Sequence, residues 1–507
     1  MEQEPTSAED VAAEARKPAD SSSARPLSVV VVGASGDLAR KKVFPALFSL
    51  YSQGLLPENT HFYGLARSRF LDWEFRAKLM EHLTCRYVPK ESCEEKMEDF
   101  LSRCFYHSGP VVSSDSFVEL YRLMRMREGS GPANRLFYMS IPPFLFLDLA
   151  KALGDAGLVD CGEETEGWSR AVIEKPFGHD RPSSDTLVKQ MRLVFTEKQT
   201  YRIDHFLGKE VIQNLMVLRF ANRVFEPVWN REHIRSVEVS FKEDFGIGDR
   251  GGYLDQYGII RDVMQNHLLQ ILALLAMDKP AAFRAREIRG EKVRLLRSIP
   301  PPGVEDLVLG QYHGSSREGT QLPGYLDEPG VPKDSLTPTF AAAVLRIENE
   351  RWRGVPFLLR AGKALETRAT EIRVRFRPLE RSIFPGHPGP LPPNELLIRV
   401  QPDEAIYLRI LNKVPGQEMV LVPRDLRLQY RKAFSEVVPE AYESLLLDVI
   451  EGDKSLFIGA AELQASWDIF TPVLHAIAER AIKPILYPAG SKGPAEADGL
   501  AARYGIG

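Results

Sequence analysis

The chain has 507 residues, 44% hydrophobic and 26% charged, with a formal net charge of −4. That length implies two or more domains of a globular protein. The charge argues against a nucleic-acid binder, which needs excess Lys and Arg to release counterions. No run approaches the roughly 18 apolar residues of a membrane span. Leu268 to Met277 comes nearest, but it is short, is interrupted by Gln270 and reads as a buried helix. Neither nucleic acid nor membrane is an expected partner.

Residues 1–26 are rich in Ala, Ser, Glu and Asp and read as a disordered leader without an apolar signal core. The first folded element is Leu27-Ser28-Val29-Val30-Val31-Val32. This β-branched run does not alternate, as in a strand buried on both faces of a parallel sheet. Gly33-Ala34-Ser35-Gly36-Asp37-Leu38-Ala39 follows, then a helix from Arg40 to Tyr51. Further strands are expected at His61 to Ala66, Leu136 to Ser140 and Ala171 to Glu174, with helices between. Such alternation predicts a doubly wound α/β domain. Cys85, Cys93, Cys104 and Cys161 include no CxxC pair and fit a reducing compartment, so the cytoplasm is expected. Three of them lie close enough to permit a redox-sensitive pair, but ordinary free thiols are the expected reading.

Beyond about residue 200 the pattern changes. Ser236 to Lys242, Ile372 to Phe376 and Leu397 to Gln401 alternate with period two, as in antiparallel sheets with one solvated face. Long helices are expected from Asp255 to Met277 and from Ala461 to Ile482. Loops are expected where Pro and Gly cluster at 300–303, 323–332 and 385–393. The fold class is therefore α/β plus α+β. A Rossmann-like dinucleotide-binding domain spans 27–203, and a large domain with a mainly antiparallel sheet and helices spans 204–507.

In the glycine turn, Gly33 allows the tight bend and Gly36 lets the backbone approach a pyrophosphate. The helix start offers N–H groups and a positive dipole end to that anion. The spacing is GxxGxxA, and a tight structural turn is the alternative. Gly246-Ile247-Gly248-Asp249-Arg250-Gly251 matches GxGxxG literally but follows an alternating strand, so it reads as a loop. After the second strand comes Ala66-Arg67-Ser68-Arg69, with no carboxylate for a ribose 2′-hydroxyl. Arg67 suits a 2′-phosphate instead, with Ser35 as a further donor, which favours NADP over NAD. The alternative is a solvated surface arginine.

The densest chemical cluster is Arg202-Ile203-Asp204-His205-Phe206-Leu207-Gly208-Lys209-Glu210, at the expected domain junction. Lys209 and His205 suit a phosphate, and Asp204 suits the orientation of a histidine. A solvated helix start is the bland alternative. His267 sits in Ile259 to Leu269, a helix entering the core. Five residues separate Asp262 from His267, so an α-helix places them about 140° apart and not on one face. Taken alone, His267 reads as a satisfied core histidine. Oxidation of a hydroxyl carbon would give these parts work. A histidine base takes the proton as hydride leaves, a carboxylate fixes its tautomer, and no metal is required.

These motifs together resemble the glucose-6-phosphate dehydrogenase family. The matches are the glycine turn, Glu174-Lys175-Pro176-Phe177-Gly178, Arg202 to Glu210, Gly251-Gly252-Tyr253, Arg261 to Leu269, Gly354-Val355-Pro356-Phe357 and Arg360 to Leu365, in family order. The resemblance implies His267 as general base and Asp204 as its orienting carboxylate. It implies that His205 and Lys209 bind the sugar phosphate, with Lys363 and Arg368 adding charge. Glu243, Asp262 and Gln401 would meet sugar hydroxyls, and Lys175 would bridge substrate and coenzyme. Pro176 suggests a special peptide geometry there. Gly33, Ser35, Gly36, Asp37, Leu38, Arg67 and Tyr138 would surround NADP. The implied substrate is glucose 6-phosphate, and the implied assembly is a homodimer or homotetramer.

Phe206 departs from the family, where many members carry Tyr, and Asp244 stands where Pro is common. Some eukaryotic members hold a second, structural NADP, for which Arg360, Arg373, Arg399 and Tyr407 suit. Ala369 replaces an expected Lys, and no aromatic tail precedes Gly507, so a second tightly held NADP is not expected. Two other readings remain at this stage: a dehydrogenase of another hexose 6-phosphate, and a catalytically silent NADP or sugar-phosphate sensor.

Overall fold

The computed structural model describes residues 25–159, 167–317, 319–384 and 389–506. Most of the expected leader, and Cys161, lie outside them. The chain forms two compact units. One comprises Met1–Glu174, Lys189–Ile203 and Tyr442–Asp453; the other comprises Lys175–Val188, Asp204–Ala441 and Lys454–Gly507. Lys175–Val188 thus clusters with the later part of the chain, and Tyr442–Asp453 with the earlier part. Among the described residues, no helix is long and apolar enough to cross a membrane.

The first unit holds six parallel strands: β1 (Leu27–Val32), β2 (Thr60–Ala66), β3 (Cys104–Ser108), β4 (Asn134–Met139), β5 (Ser169–Ile173) and β6 (Thr200–Arg202). Their order is β3-β2-β1-β4-β5-β6, so the winding reverses beside β1. Ligands of such sheets bind at the carboxyl ends of the strands at that switch point. Every residue of β1 and of β4 is buried, which explains the unbroken apolar run. Gly33 ends β1 with φ 87°, and a Cβ there would lie 2.0 Å from the Ser140 carbonyl oxygen, so only glycine fits. The short strands β3 and β6 were not expected from the sequence.

The expectation of ordinary free thiols fails for two cysteines. Cys85 and Cys93 are joined by a disulfide, their Cα atoms 5.8 Å apart, because the chain turns back between them to bridging distance. Cys104 is free and buried.

The second unit is built on nine strands: β7 (Ile234–Lys242), β8 (Leu307–His313), β11 (Phe340–Arg346), β12 (Pro356–Gly362), β13 (Ala369–Phe376), β14 (Glu395–Gln401), β15 (Ala405–Lys413), β16 (Leu421–Gln429) and β17 (Ile485–Pro488). The order is β16-β15-β14-β13-β7-β12-β11-β8-β17. Pairing is antiparallel except between β7 and β12 and between β8 and β17. A separate hairpin joins β9 (Ser315–Arg317) to β10 (Thr320–Leu322).

The helix that matters most in this unit runs in three parts. Gly251–Ile259 is α-helical, Ile260–Leu268 is π-helical, and Leu269–Ala276 is α-helical and buried throughout. Gly258, with φ 67° and ψ 164°, kinks the first part. The last turn of any helix leaves carbonyls without partners. Here Arg219 donates from Nη1 to the Leu274 carbonyl at 2.8 Å and from Nη2 to the Met277 carbonyl at 2.7 Å. Trp229 Nε1 donates to the Leu275 carbonyl at 2.8 Å and Trp352 Nε1 to the Ala276 carbonyl at 2.7 Å. All three side chains are fully buried. The guanidinium also meets the negative end of the helix dipole.

Replacing Arg219 with Met should therefore strand two buried acceptors. The expected cost is about 2–6 kcal/mol of unfolding free energy, at about 1–3 kcal/mol for each unsatisfied buried group. Urea unfolding measures it, and a parental midpoint would contradict the capping role.

Candidate active site

Strands β7 and β12 are parallel neighbours in register, with Lys242 opposite Gly362. They end together, so the residues that follow, Glu243 and Lys363, emerge side by side. The Glu243 N–H donates to the Gly362 carbonyl at 2.9 Å, and Lys363 Nζ donates to Glu243 Oε2 at 2.5 Å. Lys363 Nζ is also 3.8 Å from Asp262 Oδ2. On its other side Asp262 meets Lys175, whose Nζ donates to the Asp262 carbonyl at 2.6 Å and to Oδ1 at 3.2 Å. Lys175, Asp262, Lys363 and Glu243 thus alternate in charge. Burial alone would raise the Asp262 carboxyl, but Lys175, Lys363 and Arg250 hold it well below the usual carboxylate range. The Lys175–Pro176 peptide bond is cis.

Asp204 opens a tight segment that leads into the helix Glu210–Phe220. Its Oδ1 accepts the Phe206 N–H at 3.0 Å and stands 2.5 Å from His267 Nδ1. Asp204 and His267 are 1% and 3% exposed, so this pair is sealed from water. A carboxylate only accepts, so Nδ1 carries the proton and Nε2 the lone pair. Burial would raise the Asp204 carboxyl, but the imidazole beside it holds it at about 2. Burial lowers the His267 imidazole, and Asp204 opposes that shift only in part. The His267 imidazole is therefore neutral at neutral pH and held in one orientation by Asp204. The second carboxylate oxygen of Asp204 is buried and has no hydrogen-bond partner among the described residues.

Two rings complete the surroundings of His267. Phe206 lies over His267 with centroids 4.5 Å apart, and His205 meets it edge-on at 4.7 Å. Burial, and then His267, push the His205 imidazole well below its ordinary range. Lys209 Nζ lies 5.4 Å from the Phe206 ring centroid. Arg368 is exposed beside Phe245, 5.8 Å from its ring centroid. Gln401 ends β14 opposite Thr370, which is itself paired with Phe241 of β7. Asp204, His205 and His267 also bring one ligand atom each within 4.8 Å of the others, a spacing that a metal would accept. The short His267–Asp204 bond already engages two of those three groups.

The expectation that Asp262 and His267 face different ways is corrected here. It assumed an α-helical repeat of 3.6 residues. Both residues lie in the π-helical segment, whose hydrogen bonds join i to i+5, so residues five apart fall on one side. Each accordingly influences the ionisation of the other. The ring of Phe206 against His267 was not foreseen either, although it lay inside the cluster already singled out.

In the first unit, Ser68 Oγ donates to Ser35 Oγ at 3.3 Å beside the glycine turn. Gly36 and Asp37 are exposed, and Leu38 is half-buried at the start of the helix. The Asp37 carboxylate is neutralised locally by Arg40 at 2.9 Å and Lys41 at 3.0 Å. Arg67 is exposed, and among the described residues it forms no ion pair. That donor set suits the pyrophosphate and the 2′-phosphate of a dinucleotide. Tyr138, by contrast, is fully buried and its hydroxyl donates to Glu174 Oε1 at 2.5 Å, so its side chain is enclosed rather than presented at the turn.

Of the residues considered for a second coenzyme, Arg360 and Arg373 line a cavity of about 630 Å³, and Arg399 and Tyr407 line another of about 290 Å³. All three arginines are matched within the chain: Arg360 with Asp498, Arg373 with Glu395 and Arg399 with Glu371.

Comparison with known proteins gives a consistent result. Residues 30–214 match the family model for the NAD binding domain of glucose-6-phosphate dehydrogenase, and residues 216–506 match the model for its C-terminal domain. The chain is 52% identical over 483 residues to glucose-6-phosphate 1-dehydrogenase 1, chloroplastic, of Arabidopsis thaliana, covering 95% of this chain and 83% of that one. It is 48% identical over 485 residues to glucose-6-phosphate 1-dehydrogenase of Dictyostelium discoideum, covering 95% and 94%. A solved structure of glucose-6-phosphate dehydrogenase in complex with its substrate glucose-6-phosphate superposes with a TM-score of 0.88 at 41% identity, covering 95% and 98%.

The buried pair makes a prediction independent of any reaction. In an Asp204→Asn variant, the His267 imidazole should titrate at lower pH than in the parent, because burial then acts on the cation without a compensating anion. NMR titration of the ring resonances measures this, and an unchanged or higher value would contradict the pairing.

Proposed function

The chain belongs to the glucose-6-phosphate dehydrogenase family, and from that premise and the geometry of the site we infer that it oxidises glucose 6-phosphate at C1 to 6-phosphogluconolactone with NADP as coenzyme. The observation that carries this reading is the buried Asp204–His267 pair, 2.5 Å apart, in a cluster that also contains Lys175 and Asp262.

His267 Nε2 takes the proton of the C1 hydroxyl as the C1 hydride departs. The imidazolium so formed is held by Asp204, which stays ionised. NADP supplies the hydride acceptor when bound. Lys209 and His205, with Arg368, suit the phosphate dianion. A neutral His205 does so as an N–H donor rather than as a second buried cation. Glu243, Asp262 and Gln401 suit the sugar hydroxyls, and Lys175 stands beside Asp262 to orient them. The preference for NADP rests on Arg67, an exposed cation without a carboxylate partner among the described residues, next in sequence to Ser68, whose hydroxyl meets that of Ser35.

A homodimer or homotetramer is part of the proposal. Its support is β16, the edge of the nine-stranded sheet, where Leu426 is 56% and Leu428 38% exposed. An open edge with apolar side chains favours burial against another chain.

The direct test is absorbance at the NADPH band with glucose 6-phosphate and either NADP or NAD, and with unphosphorylated glucose as control. Reduction should require both the sugar phosphate and a dinucleotide, with NADP preferred. His267→Asn should lower kcat at least about 10²-fold with little change in substrate binding, as expected on losing a general base. Parental kcat in that variant would overturn the assignment. Arg67→Ala should raise KM for NADP about tenfold or more and leave KM for NAD nearly unchanged, in keeping with the loss of a charge-assisted bond. Equal effects on both coenzymes would remove the 2′-phosphate role.

A further inference from the structure

We infer that Asn266 is a positioning residue for this reaction: its side-chain amide holds the π-helical turn that sets His267 and Asp262 on one side of their helix. Asn266 is 7% exposed and directly precedes the base. Its Nδ2 donates to the Arg261 carbonyl at 3.0 Å, and its Oδ1 accepts the His267 N–H at 2.6 Å. Only one orientation of the amide pairs a donor with the carbonyl and an acceptor with the N–H, so the two bonds fix the amide.

The reason for such a device lies in the helix ladder. In an α-helix the N–H of residue 267 would bond to the carbonyl of 263, and the carbonyl of 261 would receive the N–H of 265. The i→i+5 repeat pairs that N–H with the carbonyl of 262 and that carbonyl with the N–H of 266, in a ladder less favourable than the α-helical one. Asn266 adds a side-chain bond at both places, to the Arg261 carbonyl and from the His267 N–H. One residue further on, the Asp262 carbonyl accepts Lys175 Nζ at 2.6 Å. Without the amide the segment loses those two bonds and relaxes toward the more favourable four-residue repeat, which rotates His267 away from Asp262 and strains its bond to Asp204. The ends of the helix cannot absorb the change, because Gly258 kinks one side and Arg219, Trp229 and Trp352 hold the other.

The inference rests on His267 as the base, so Asn266→Ala and the milder Asn266→Ser are assayed beside His267→Asn. The groups that face His267 are Asp204, His205, Lys175 and Asp262, with Lys209 beside His205. Expected for Asn266→Ala is a 10- to 100-fold lower kcat per folded molecule and less than a threefold change in KM for glucose 6-phosphate. The acid limb of the kcat profile should move to higher pH, because a loosened imidazole gains water and its burial is relieved. Asn266→Ser should shift the same way by less. Parental kcat and an unmoved acid limb in either folded variant, beside an inactive His267→Asn, would overturn the inference alone. Parental kcat in His267→Asn would remove the base assignment itself. Failure of both Asn266 variants to fold would also overturn it, since the amide would then serve the fold as a whole.

Discussion

The site depends on one local departure from regular structure, the five-residue repeat of Ile260–Leu268. An α-helix of the same sequence would point Asp262 and His267 in directions about 140° apart. The wider repeat puts the residue that gathers the two lysines on the same side as the residue proposed to take the proton. A π-helical turn is costly on its own and persists only when surrounding structure fixes it. Here the fixing is visible on both sides: a glycine with positive φ before the turn, and four carbonyls capped by Arg219, Trp229 and Trp352 after it.

Electrostatics follow from that placement. A buried charge without a partner is expensive, whereas a buried charge inside an alternating set is tolerable. Lys175, Asp262, Lys363 and Glu243 form such a set before any substrate arrives, so no lone charge must be desolvated on binding. The arrangement also places acceptors and cations side by side, as the proposed sugar-phosphate site requires. Glu243 and Lys363 owe their meeting to long-range register: β7 and β12 are distant in sequence, but as parallel neighbours they stop at the same level.

This explains what the sequence disclosed and what it withheld. The glycine turn was legible because its causes are local: a β-branched run for the buried strand, Gly33 for φ 87°, and a helix start behind them. The parallel first sheet was legible from the alternation of strands and helices, although β3 and β6 are too short and too flanked by polar residues to announce themselves. Asp262 and His267 could be named from family motifs, but residue spacing argued against a shared helix face, since no propensity distinguishes a π-helical turn from the α-helix around it. The Cys85–Cys93 bridge was missed for a related reason. A separation of eight residues says nothing until the turn between them brings the Cα atoms to 5.8 Å. The exchange of Lys175–Val188 and Tyr442–Asp453 between units defeats any division of the chain at a single point.

For His267 as the proposed base, burial raises a difficulty that Asp204 resolves. A dry pocket formed by Phe206 and His205 lowers the affinity of His267 for a proton, which keeps it unprotonated and ready but makes it a weaker base. Asp204 contributes least while the imidazole is neutral and most once it is charged, because its attraction acts through a medium from which water is excluded. The pair is therefore complementary to the state in which the proton has moved rather than to the resting state. An exposed histidine with the same carboxylate would gain less, since water would stabilise the imidazolium with or without Asp204. In the proposed reaction the aromatic wall and the carboxylate are thus two halves of one arrangement: the wall keeps the proposed base unprotonated, and the carboxylate returns, as the proton moves, the stabilisation that burial removes.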